Sequence, residues 1–120
     1  MGKKGPAWRR GTPQGETRDR LASRVYVDAS PIHGRGVFAR VPIRKGAYIG
    51  TYRGREARRD GTYVLWLIDS NGLAIGRSGR NQLRFLNHSK KPNAYFAEFE
   101  LYALRRIRAG EEITFDYNWD

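Results

Sequence analysis

Apolar residues in this chain come in short runs broken by glycine and polar turns, and they do not keep helical spacing long enough to build a long amphipathic helix. That pattern points to a fold of many short strands. Val25-Tyr26-Val27 predicts a first strand and Val37-Phe38-Ala39-Arg40-Val41 a second. A third, Ala47-Tyr48-Ile49-Gly50-Thr51-Tyr52, follows a turn between Pro42 and Gly46. The strongest is Thr62-Tyr63-Val64-Leu65-Trp66-Leu67-Ile68, since β-branched and aromatic side chains suit a pleated surface. Asp69-Ser70-Asn71-Gly72 has the composition of a tight hairpin turn into Leu73-Ala74-Ile75-Gly76. From Asn93 to Ile107 the pattern alternates, which predicts Tyr95, Ala97, Phe99 and Leu101 on one side of an antiparallel pair and Phe96, Glu98 and Glu100 on the other. Arg108-Ala109-Gly110 then turns the chain into a last strand from Glu112 to Tyr117. Residues 53–61 carry too little periodicity to define a helix and are expected to form a turn or a short helical piece. The expected class is mainly β.

With 120 residues the chain can build one small domain around a modest core. Residues 1–20 are basic and polar with almost no apolar periodicity, so they are expected as a flexible basic tail, with the domain spanning 21–120. There are 23 Lys and Arg against 12 Asp and Glu, a formal charge of +11, which favours acidic partners including nucleic acid, or else simply a solvated surface. Cysteine is absent and there are only two histidines, so neither disulfides nor a metal site is expected. No apolar run reaches the length of a membrane span, and the basic start lacks the apolar stretch of a signal peptide. The expectation is a soluble, intracellular protein, with bacterial cytoplasm and nucleus equally open.

Several residues invite a chemical role, and each also has an ordinary structural one. His33-Gly34-Arg35-Gly36 is a glycine turn that would let backbone amides approach a ligand, or a plain hairpin turn. It lacks the third glycine and following helix of a dinucleotide fingerprint. Asn87-His88-Ser89 follows Phe85 and Leu86, so its polar groups should sit where hydrogen bonds must be satisfied, in a site or in a capped turn. Strand alternation puts Ile113, Phe115 and Tyr117 on one face, and Tyr117 alone would read as an interior aromatic. No Ser-His-Asp pattern, paired-carboxylate motif or phosphate loop stands out.

Taken in order, Gly34-Arg35-Gly36, Tyr52-Arg53-Gly54, Arg84-Phe85-Leu86-Asn87-His88-Ser89-Lys90-Lys91-Pro92-Asn93 and Gly110-Glu111-Glu112-Ile113-Thr114-Phe115-Asp116-Tyr117 resemble the motifs of a minimal SET-domain protein-lysine methyltransferase. The resemblance implies the β-clip fold, whose carboxyl-terminal segment threads beneath a preceding loop as a pseudoknot, against the usual avoidance of threading. It also implies that S-adenosylmethionine binds among Gly34, Arg35, Gly36, Arg84, Phe85, Asn87 and His88. There the backbone at Asn87 and His88 would hold the adenine, and the Asn87 side chain the amino end of the methionine part. Tyr117 matches the tyrosine at the methyl-transfer channel, and Tyr63 resembles the second channel tyrosine. Phe115 matches the position that sets how many methyl groups the channel admits. Lys90 stands where many members have Cys and no Cys-rich segment follows it, so Trp119, or another subunit in a homodimer, is expected to cover the channel. Arg55 occupies a place where an acidic residue is frequent. The implied reaction is methyl transfer to the amine of a protein lysine, with a histone or another basic chromosomal protein as substrate. A non-catalytic SET fold that uses its basic surface or tail to hold nucleic acid or a protein is the alternative.

Overall fold

The computed structural model describes residues 20–117, so the expectations for the basic tail before Arg20 and for Trp119 fall outside the described residues. Residues 20–24 form one helical turn that buries Leu21. Ten short strands follow, arranged in three small sheets.

The first sheet has the order β1 (Val25–Ala29), β2 (Arg35–Ala39), β10 (Glu112–Phe115), β7 (Asn87–His88). The second runs β3 (Tyr48–Thr51), β9 (Glu100–Ala103), β8 (Ala94–Ala97). The third runs β4 (Gly54–Ala57), β6 (Ala74–Gly79), β5 (Val64–Ile68). Apolar residues from several segments supply the core: Val25, Val37, Ile49, Leu101, Ile107 and Ile113 are fully buried, joined by Leu83 from a 3-10 turn at Gln82–Phe85.

β10 organises the molecule. It pairs antiparallel with β2, Ile113 opposite Val37, and parallel with β7, Thr114 opposite Asn87 and Phe115 opposite His88. The carboxyl-terminal strand is therefore inserted between segments distant in sequence. Buried Asn93 helps to hold it, accepting the Thr114 N–H at 2.8 Å and donating to the Glu112 carbonyl at 2.8 Å, so its amide acts as a partner for the strand backbone. Both Thr114 and Phe115 are buried, so the two faces of β10 are covered.

Two expectations change. Residues 53–61 contain the strand β4 rather than a turn or helical piece; it is a polar edge strand paired only with β6, and no buried face required an apolar pattern. In the β8–β9 hairpin, Ala97 pairs with Glu100 and Glu98 adopts φ 55°, so the chain reverses within two residues. The reversal changes the phase: Phe96 lies opposite Leu101 and Tyr95 opposite Tyr102, so Tyr95 and Leu101 do not share a side. The Asp69 hairpin is found as expected, its Oδ1 accepting the N–H groups of Asn71 and Leu73, each at 2.9 Å.

Candidate functional site: a polar cleft and an apolar groove

The β1–β2 turn, Thr62 and Tyr63 just before β5, and the segment 84–87 enclose a polar cleft of about 590 Å³. Gly34, Arg35, Tyr63, Arg84, Phe85 and Asn87 all line it. Gly34 has φ +48°, with open space where a Cβ would stand. The Arg84 guanidinium lies 4.3 Å from the Phe85 ring centroid and that of Arg35 lies 5.3 Å from it, which concentrates positive charge at an aromatic wall. Arg84 is fixed by donating to the carbonyls of Arg80 and Asn81.

Asn87 sits at the base of this cleft in a knot of acceptors. Its Nδ2 lies 3.0 Å from the His33 carbonyl, 3.0 Å from the Arg35 carbonyl, 3.1 Å from Ser30 Oγ and 2.9 Å from Glu112 Oε2. An amide nitrogen has two protons, so these acceptors outnumber the donors that reach them. Ser30 Oγ also donates to the Glu112 carboxylate at 2.9 Å. Gly36 stands behind the cleft, buried, and a Cβ on it would collide with that carboxylate. This close approach is the local reason for a glycine. Glu112 and Ser30 were not apparent as site residues in the sequence, because nothing local shows that strand β10 turns Glu112 toward the glycine turn.

On the other side lies an apolar groove of about 360 Å³ between β5 and β8, floored by Phe96 and Phe115 and ending at Asp116 and Tyr117. Tyr117 is half-exposed. Its backbone N–H donates to His88 Nδ1 at 3.1 Å, and its ring stacks on His88 and leans on Phe115, centroids 4.9 Å apart. The imidazole is thus turned toward Tyr117, while neighbouring Asn87 faces the cleft. Asp116 Oδ1 lies 3.6 Å from the same Nδ1.

An aromatic chain joins the two sites. Phe115 meets Phe96 edge-on at 5.2 Å, Phe96 meets Tyr52 at 5.9 Å, and the Tyr52 hydroxyl donates to the Tyr63 carbonyl at 2.6 Å. Tyr63 in turn packs edge-on against Phe85 and lines the cleft. Burial pushes the Tyr52 phenol well above its usual range, and nearby Tyr117 and Tyr63 add to this while Arg84 opposes it. Burial also raises Tyr117, helped by the charge of Asp60. Both phenols are therefore protonated donors near neutral pH. Tyr52 was legible as part of a motif, but its bridging place depends on contacts far apart in sequence. Among the described residues no group of His, Asp and Glu is arranged to hold a metal ion.

Residues 34–118 match the family model described as SET domain. Among curated proteins, the chain is 33% identical over 115 residues to the histone-lysine N-methyltransferase MEDEA of Arabidopsis thaliana, covering 78% of this chain and 16% of that protein. It is 32% identical to histone-lysine N-methyltransferase trithorax of Drosophila virilis, covering 79% of this chain and 3% of that one. It is also 32% identical to human histone-lysine N-methyltransferase 2B, covering 79% and 4%. The chain thus spans a small part of these relatives. A solved chain from Plasmodium falciparum, described as a histone methyltransferase, superposes with TM-score 0.63 at 20% identity, covering 81% of this chain and 95% of that one, a likeness of fold.

Proposed function

The chain belongs to the SET-domain family, and from that premise we propose that it transfers a methyl group from S-adenosylmethionine to the side-chain amine of a protein lysine. The polar cleft is the cofactor side and the apolar groove the lysine side. The observation that carries the reading is the Tyr52–Tyr63–Tyr117 neighbourhood, where a buried hydroxyl and two partly exposed rings stand between a cleft rich in charge and acceptors and a largely apolar groove whose one charged lining residue is Asp116 at its end.

The residues present fit the cofactor. The acceptor knot of Ser30, the His33 and Arg35 carbonyls, and Glu112 suits an ammonium group, because it holds more acceptors than its protons can serve. Arg35 and Arg84 suit a carboxylate, and Phe85 and Tyr63 offer ring surface to a purine. The bound cofactor would supply an electrophilic methyl group on a sulfonium.

The rest of the chemistry belongs to the chain. A lysine amine attacks only when neutral, and its solvent-exposed pKa is about 10.4. Phe96 and Phe115 at the floor of the groove exclude water, which lowers that pKa by desolvating the ammonium. Protonated Tyr117 and Tyr52 are unsuited to act as bases, so their part is orientation by hydrogen bonding, with positioning supplying much of the rate. The relatives named as histone-lysine methyltransferases support a histone or another basic chromosomal protein as substrate.

The test is transfer of labelled methyl from S-adenosylmethionine to a histone mixture and to host lysate, with modified lysines mapped by mass spectrometry. Tyr117→Phe should retain cofactor binding by calorimetry and lose most transfer. Cofactor binding by the wild type without transfer to any protein would favour the non-catalytic module instead.

A further inference from the structure

Ile43 and Ile107 form an isolated antiparallel bridge with both backbone hydrogen bonds made, at 2.8 and 2.9 Å. In that register Arg44 stands opposite Arg106, and Arg108 follows on the same strand segment. Both isoleucines are buried, so the residues flanking them turn to solvent, and Arg44, Lys45, Arg106 and Arg108 are all exposed. Like charges directly across a strand pair repel one another. Among the described residues none of these four side chains makes an ion pair or a hydrogen bond. The carboxylate in the same turn, Glu111, is engaged by Arg105 at 3.0 Å, by the Arg108 backbone N–H at 3.0 Å and by Asn93 at 3.3 Å. Those bonds outweigh the opposing effect of its burial and hold its pKa below the usual range. The fold thus sets four cations, unpaired among the described residues, on two segments joined by the Ile43–Ile107 bridge.

We infer that this face binds the sugar-phosphate backbone of duplex DNA. Arginines on two segments held together by a backbone bridge suit a charged duplex edge, and contacts of this kind release condensed counterions. A single strand would need free aromatic faces for its bases. In the adjoining strands Tyr48 and Tyr102 are half-buried and meet edge-on at 5.8 Å, with the Arg24 guanidinium 5.6 Å from the Tyr48 centroid, and of the three rings only Tyr95, stacked on Tyr102, is left exposed, too little for successive bases. The patch borders the apolar groove at Leu104, which lines the groove and directly precedes Arg105. This inference does not depend on the methyl-transfer reading.

The experiment compares the full chain with the Arg44→Ala/Arg106→Ala/Arg108→Ala variant by fluorescence anisotropy on a mixed-sequence duplex of about 20 base pairs over a salt series. The wild type should bind with log K falling linearly in log salt. The variant should bind at least tenfold more weakly at low salt, its slope reduced by about two to three. Because the substitutions remove repulsion, thermal unfolding should be unchanged or shifted upward. Arg106→Gln alone, should the triple variant fail to fold, should reduce the slope by about one. Equal affinity and slope in wild type and variants would overturn the inference. So would no duplex binding by the wild type, or tighter binding to a single strand, an RNA duplex or polyglutamate.

Discussion

The backbone N–H of Tyr117 donates to Nδ1 of His88 across 3.1 Å, and the two rings stack with centroids 6.0 Å apart. Nδ1 can accept only when it carries no proton, so this contact selects the tautomer with hydrogen on Nε2. His88 therefore acts through Tyr117. Removing the acceptor with His88→Ala forfeits a hydrogen bond worth about 1 kcal/mol and the stacked ring, freeing Tyr117 to move. We expect methyl transfer to fall at least tenfold while cofactor affinity changes little. His88→Asn, which restores a short acceptor, should recover part of the rate. Calorimetry beside single-turnover rates reads both quantities, and a loss confined to cofactor affinity would reassign His88 to the cleft.

The Glu112 carboxylate meets Asn87, Ser30 and the bare Cα of Gly36. Glu112→Gln keeps the shape but replaces an anionic acceptor with an amide, weakening a charge-assisted site worth about 1.5 to 3 kcal/mol. Affinity for S-adenosylmethionine should drop by about tenfold or more. Gly36→Ala should instead destabilise the fold by about 1 to 3 kcal/mol through overpacking, visible as a lowered melting temperature. Unchanged cofactor affinity in Glu112→Gln would remove that residue from the site.

Much of the strand pattern was legible because short runs of β-branched and aromatic residues mark it, as in β2, β5 and β10, where burial runs through adjacent positions on both faces. β4 left no such trace because it buries little, and the side assignment in the β8–β9 hairpin failed because a single positive φ at Glu98 resets the phase. The parallel pairing of β7 with β10 joins residues far apart in sequence, which periodicity cannot report. The candidate site divides in the same way. Asn87 and Tyr117 stand out as polar and aromatic residues within motifs, whereas Glu112 and Ser30 gain their meaning only from the strand that brings them together.

Alkaline pH should destabilise the fold through phenols whose ionisation the fold opposes. Tyr52, Tyr102 and Tyr117 all have pKa values raised above the ordinary value, chiefly by burial. A group that holds its proton more tightly when folded contributes stability that is complete below its unfolded pKa, about 10, and is lost as pH rises past it. Urea midpoints should therefore be insensitive to these groups at neutral pH and fall above about pH 10. Tyr52→Phe should flatten that fall, and should cost about 1 kcal/mol at pH 7 through the lost hydroxyl bond to the Tyr63 carbonyl, which still accepts the Gly79 N–H at 2.8 Å. Identical pH dependence in wild type and variant would show that Tyr52 does not carry the effect.

Product multiplicity should depend on Phe115, which is buried between Phe96 and Tyr117 with its ring at the floor of the groove. A phenylalanine there leaves room beside the amine, so transfer beyond the first methyl is expected. Phe115→Tyr adds a hydroxyl that must find a partner in a largely apolar place, and the lysine amine or a retained water is the partner available at the groove. Either fills the space that a methylated amine needs in order to rotate for a second transfer. Intact-mass analysis of a methylated substrate peptide should show the wild type building di- and trimethyl-lysine with time, and Phe115→Tyr accumulating the monomethyl product. Should both enzymes give the same distribution, Phe115 does not set the number of methyl groups.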